Sequence, residues 1–180
     1  MKTAADVLKF WFEEHGPDDW FAGKAEFDAE IARGFAETHA AVARGEAWDW
    51  RTTPDGRLAE IIVLDQFSRQ LFRDRAEAFA SDPTALVLAQ EMVGGGHHNF
   101  LPLPRRGFVL MPFMHSESKA MQRESLRLHT ALGEPNQLKF AEAHAELIKR
   151  FGRFPKRNAA LGRTSTPEEL AYIAENAGSF

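Results

Sequence analysis

The residues best suited to chemistry in this sequence are cationic and lie close together. RFGRFPKRNAALGR at 150–163 holds Arg150, Arg153, Lys156, Arg157 and Arg163 with no acid among them. Gly152, Pro155 and Gly162 impose turns, and Phe151 and Phe154 can anchor the loop inward. Arg153 and Arg157, with Asn158 and Arg163 beside them, can present forked donors to a carboxylate or phosphate. The same loop could instead bond acidic residues of its own chain, such as Asp65 and Glu117. A second grouping is His115-Ser116-Glu117-Ser118, which follows Pro112 and opens a helix. Here Ser116 can cap the helix while Glu117 complements its dipole, or His115 can act as acid/base with Glu117 as its partner.

Two further features lie on apolar helical faces. Leu58, Ile62, Asp65, Arg69 and Phe72 form one stripe, and Ile61, Leu64, Phe67 and Leu71 make the adjoining face apolar as well. Asp65 and Arg69 are therefore a charged pair in an apolar setting, and an unmatched charge there costs several kcal/mol. The pair is either an internal tie between helices or part of a site. His144 lies on a face with Phe140, Leu147 and Phe151, as a core histidine or as a site residue. The ligand types of His115, Glu117, His144 and Asp65 suit a metal, but no HExxH or comparable spacing supports one, so no metal and no cofactor is expected. His97-His98 follows three glycines and reads as a solvated loop. GxSxG, P-loop and dinucleotide fingerprints are lacking.

The elements that position these residues read as helices. Thr3 caps a helix over 3–15 and Gly16-Pro17 stops it. Phe27, Ile31, Phe35, Thr38 and Val42 give 24–44 one buried face. Thr53-Pro54 and Asp82-Pro83 each open a helix with proline in the first turn. Residues 97–113 read as loop, with 108–111 as a short strand or a helical turn. Helices are expected again over 114–132, marked by Met114, Met121, Leu128 and Leu132, and over 136–151. Thr166-Pro167-Glu168-Glu169 is a capping box for a last helix, docked by Leu170, Ile173 and Phe180. The expectation is an all-α fold of six or seven helices in antiparallel pairs, with 1–180 as a single helical domain.

Composition bounds the function. A chain of 180 residues buries roughly 70% of its surface on folding, enough for a core without staples. Cysteine is absent, which excludes disulfides and thiol chemistry and suits a reducing cytoplasm. The apolar runs are far shorter than the ~20 residues that span a bilayer. The loop at 150–163 is +5, so a chain of net charge −4 leaves −9 elsewhere. A cationic island on an acidic protein points to a local anion, not to nucleic acid or a membrane surface.

VLKFWFEE at 7–14, FDAEI at 27–31, GRLAEIIVLDQFSRQLFR at 56–73, AFASDPTAL at 78–86, MPFMHSES at 111–118, RFGRFPKRNAALGR at 150–163 and STPEEL at 165–170 together resemble the bacterial domain of unknown function 924 family. The resemblance implies an all-α, tetratricopeptide-like fold and implies no activity. The chain departs from the family pattern at Ser68 and Gln70, where Pro and Asn are typical, and at Lys156, where His is typical. Were that His catalytic in the family, Lys156 would remove the activity. The expected function is binding of a small anionic ligand or acidic peptide in a polar groove. Asp65, Arg69, His115, Glu117, His144, Arg153, Arg157, Asn158 and Arg163 would line or support it. The alternative is a hydrolase or lyase on an anionic metabolite, with His115 as acid/base, Glu117 or Asp65 orienting it, and the arginines as clamp. The sequence leaves the ligand, enzymatic activity and oligomeric state open.

Overall fold

The computed structural model describes residues 1–177. Among them are nine helices and no strand, more helices than the six or seven expected. They are α1 (residues 4–14), α2 (Pro17–Trp20), α3 (Ala25–Ala43), α4 (residues 54–71), α5 (Asp82–Gly94), α6 (Leu103–Met114), α7 (Lys119–Leu132), α8 (Pro135–Phe151) and α9 (Pro167–Glu175). Short 3₁₀ turns at Trp48–Thr52, Ala76–Phe79, His97–Phe100 and Pro155–Arg157 connect them. The excess has two sources. Pro17 starts an additional one-turn helix after the Gly16 stop, and residues expected as loop form α6, with Pro112 inside it. The 108–111 stretch is thus helical.

The helices group into two compact units, Met1–Arg73 with Glu77–Pro112, and Asp74–Ala76 with Phe113–Phe180. The first is built around α4. Leu58, Ala59, Ile61, Ile62, Val63, Leu64 and Phe67 are all fully buried, so α4 is covered on most of its circumference. Its first half packs on α1, its second half on α3, and α5 and the Trp48–Thr52 turn complete the cover. Phe67 meets Trp11 and Phe35 at ring distances of 5.6 and 5.0 Å, and Phe108 meets Trp11 at 5.7 Å. Trp11, Phe35, Phe67 and Phe108 thus fill the core of this unit. Both α1 and α4 pass through a π turn, at Phe10–Glu14 and Ile62–Phe67. A π turn widens the helix and re-aims the following side chains, and here it falls on Asp65.

Gly56 has a strict packing reason. A Cβ there would lie 2.0 Å from the Trp50 carbonyl oxygen. That approach seats the 48–52 turn on α4, where Arg51 grips fully buried Glu60 through two bonds of 2.6 and 2.7 Å.

In the second unit, α7 and α8 form a helical hairpin. Gly133 turns the chain at φ 76°, a left-handed conformation that glycine adopts without strain. The hairpin core differs from the expected face. On α8, Ala141 and Ile148 are buried while Phe140 is half exposed. The inward face of α8 is thus centred on Ala141 and Ile148, which leaves Phe140 at its edge. The capping box at Thr166–Glu169 forms as expected, and Thr3, expected as an N-cap, forms a capping box with Asp6 as well. On α9, however, Leu170 is exposed and Glu169 is the buried residue, so a carboxylate rather than an apolar face docks that helix. Phe180 lies outside the described residues.

Candidate ligand site

The second unit gathers seven of the nine anticipated site residues. Glu117 stands in the turn between α6 and α7, and both its oxygens accept from Arg163 at 2.7 and 2.9 Å. The Phe154 amide donates to the same carboxylate at 2.8 Å, and Arg163 also donates to Asn158 Oδ1 and to the Phe154 carbonyl. Asn158 is buried and passes its amide to Ser165 and Glu169. Glu169 then takes Arg153 through two bonds of 2.6 and 2.8 Å, while the Thr166 amide donates to it at 2.8 Å. Glu117 and Glu169 thus clamp the basic loop from two sides, and Arg150 is held by Glu168 at 2.9 Å.

Electrostatics follow from this arrangement. Burial alone would raise Glu117, but the Arg163 and Phe154 hydrogen bonds outweigh it and hold its carboxyl below the ordinary value. The Arg153 guanidinium draws Glu169 down to about 2. Both carboxylates are ionised at neutral pH and engaged by the loop. A general acid/base needs a proton to exchange near neutrality. Glu117 has the geometry of an ion-pair post instead.

His144 and Arg157 meet at Phe154, and His115 lies against His144. The imidazoles of His115 and His144 have ring centroids 5.8 Å apart, and His144 stands edge-on to Phe154 at 5.4 Å. Arg157 lies over the other part of that contact chain, 4.6 Å from the Phe154 centroid, and donates to the His115 carbonyl at 3.0 Å. Phe154 is buried, as its anchoring role requires, and Phe151 packs on Tyr172 at 5.4 Å. His144 Nδ1 donates to the Phe140 carbonyl at 2.8 Å. Lys156 donates to the Asn176 carbonyl, and burial pushes its ammonium pKa down.

Asp65 and Arg69 belong to the first unit. Asp65 is 1% exposed and Arg69 20%, with 3.3 Å between Oδ1 and Nη1. Arg69 also donates to the Asp65 carbonyl and grips Asp82 through bonds of 3.0 and 3.1 Å. Burial pulls this guanidinium down, but Asp65 and Asp82 together raise it above its usual value. Asp82, expected only as a helix start, is thus a principal partner. Among the described residues no group of three or more His, Asp or Glu side chains is arranged to hold a metal ion.

Other buried polar residues had no place in the sequence reading. On α7, Gln122, Ser125 and His129 are all buried. Their i, i+3, i+7 spacing in the sequence is a helical face, masked by the Leu128 and Leu132 markers beside it. In the first unit buried His39 Nε2 lies 2.7 Å from Ser68 Oγ, whose hydroxyl donates to the Leu64 carbonyl.

Residues 7–177 match the family described as bacterial protein of unknown function (DUF924). The chain belongs to this family. No curated protein matches this DUF924 chain. It is similar to the solved structure of a protein of unknown function from Agrobacterium tumefaciens, with a TM-score of 0.90 and 40% identity over 96% of this chain and 97% of that one. That relative shares the all-helical architecture. Among the described residues of this DUF924 chain, no helix is long and apolar enough to cross a membrane.

Proposed function

We propose that this protein works by binding a carboxylate- or phosphate-bearing small molecule, or the acidic end of a peptide, at the His115–His144–Arg157 face of its second unit. One observation carries the reading. The Arg157 guanidinium and the His144 ring, which donates from Nε2 once protonated, both lie on one buried aromatic ring, Phe154, with His115 against His144, and carboxylates already hold the loop that carries Phe154 and Arg157. Preorganised donors bind anions with little ordering cost. In this reading Arg153, Arg163, Glu117 and Glu169 are the frame and Asn158 joins its two halves. Arg69 and Asp65 are an internal tie of the first unit. The α7–α8 hairpin supports a tetratricopeptide-like use of the helices as a binding scaffold, in a cytoplasmic protein that recognises neither nucleic acid nor membrane.

The test is calorimetric titration of phosphate, sulfate and small dicarboxylates into wild type, Arg157→Gln and His144→Asn. Saturable binding by wild type that both variants weaken at least tenfold supports the site. No heat from any of these anions with wild type overturns it and leaves the loop as scaffold.

A further inference from the structure

The second unit contains two buried acceptors whose orientation is fixed and whose lone pairs meet no donor among the described residues. His129 is 0% exposed, and its Nδ1 lies 2.8 Å from the Ser125 carbonyl. A carbonyl only accepts, so Nδ1 carries the proton and Nε2 of the neutral ring is an acceptor. That Nε2 has no partner. Burial, with His115 nearby, also keeps the ring neutral. Gln122 is 3% exposed, and its amide nitrogen donates to the Met114 and Ser116 carbonyls at 2.7 and 2.6 Å. These two bonds fix which end of the amide is oxygen. Gln122 Oε1 therefore points its lone pairs elsewhere, also without a partner. A buried acceptor left unmatched forfeits its hydration with nothing in return, so two on one helix call for a donor.

We propose that Gln122 Oε1 and His129 Nε2 form an acceptor-lined subsite that takes an uncharged hydrogen-bond donor, the hydroxyl or amide N–H of a small polar ligand. The two residues share the inner face of α7 at i and i+7, about 10 Å apart along the axis. Gln122 pins the turn that carries His115, so the subsite adjoins that histidine. Charge excludes the other donor class. Both acceptors are neutral, and an ammonium buried against neutral acceptors lacks the anion it needs. The subsite also repels anions, which makes it independent of the anion-binding face at Phe154. An ordered water supplies the same donor chemistry, and the experiment separates the two sources.

The test is long-range ¹H–¹⁵N NMR of the histidine rings of the full chain, titrated with propane-1,3-diol and with acetamide, and with methylammonium and phosphate as controls. The expected result is a Nδ1–H tautomer for His129 and a saturable shift of its Nε2 resonance with the diol or acetamide. Methylammonium and phosphate should leave it still, and His129→Leu should abolish the response as judged by calorimetry. Because that variant risks misfolding, the wild-type NMR decides alone. A proton found on Nε2 overturns the proposal. So does a persistent water cross-peak at His129 that neither donor probe displaces, or an equal response to methylammonium.

Discussion

Arg69→Met is the sharpest perturbation of the first unit, because one cation serves two carboxylates. Arg69 bonds Asp65, which is 1% exposed, and Asp82, which is 17% exposed. Methionine fills the volume of the arginine stem but removes the guanidinium that both carboxylates share. Breaking a buried pair by removing one partner costs roughly 3–5 kcal/mol, and the partial exposure of Arg69 and Asp82 puts this case near 3. For a chain of this size that is about a 10 °C fall in Tm and a urea midpoint lower by about 1.5 M. All four tryptophans, Trp11, Trp20, Trp48 and Trp50, lie in the first unit, so tryptophan fluorescence reads its unfolding. Asp65→Asn should cost less, about 1–2 kcal/mol, because Arg69 retains Asp82. A loss under 1 kcal/mol for Arg69→Met at pH 7 refutes the reasoning.

Gly56→Ala should destabilise the first unit more than an ordinary glycine replacement, because its Cβ would sit 2.0 Å from backbone oxygen at Trp50. The 48–52 turn must shift, Arg51 loses its grip on Glu60, and urea unfolding should show a loss of about 2 kcal/mol or more. Acid stability should fall in two stages. Burial depresses the folded-state pKa of His39 and His129 below the unfolded value near 6.5, so the unfolded chain binds more protons and stability drops as pH falls below about 6.5. Glu169, at about 2 against an ordinary 4.5, adds a second loss between those values. Thermal unfolding from pH 8 to pH 2.5 checks both stages, and His39→Gln should flatten part of the first.

Much of the architecture is legible in the sequence because helices leave local marks. Thr3, Thr53, Thr166 and the Pro-led starts place helix beginnings where they occur. The stripe at Leu58, Ile62 and Asp65 marks the one helix covered on nearly all sides. Helix α6 was illegible because its prolines and Gly107 carry the same signs as a loop. Tertiary packing overrides that preference, as Phe108, Val109, Leu110 and Phe113 are all buried. The site was legible by residue type and less so by role. Glu117, Arg163, Arg153 and Asn158 do converge, yet Glu169, which holds two of them, reads in sequence only as a capping residue. Capping and ion pairing share one carboxylate there, and local pattern reveals only the first. Asp82 hid its partnership with Arg69 in the same way, behind a helix-start signature.

The basic loop shows why charge asymmetry in sequence is an ambiguous sign of function. A +5 segment on an acidic chain needs anions, and three glutamates of the same unit supply them. Glu117 takes Arg163, Glu168 takes Arg150 and Glu169 takes Arg153. Each of these pairs links the loop to a different point, either the 115–118 turn or α9. The carboxylates therefore serve first to fix a loop that has almost no regular structure of its own. What such fixing can offer a ligand is positional precision at the residues it carries, here Arg157 over Phe154 and the two histidines beside it. Mutating the frame and mutating the face should then differ in kind. Loss of Glu117 or Glu169 loosens the loop and lowers stability. Loss of His144 or Arg157, if the binding reading is right, lowers affinity at little cost in stability.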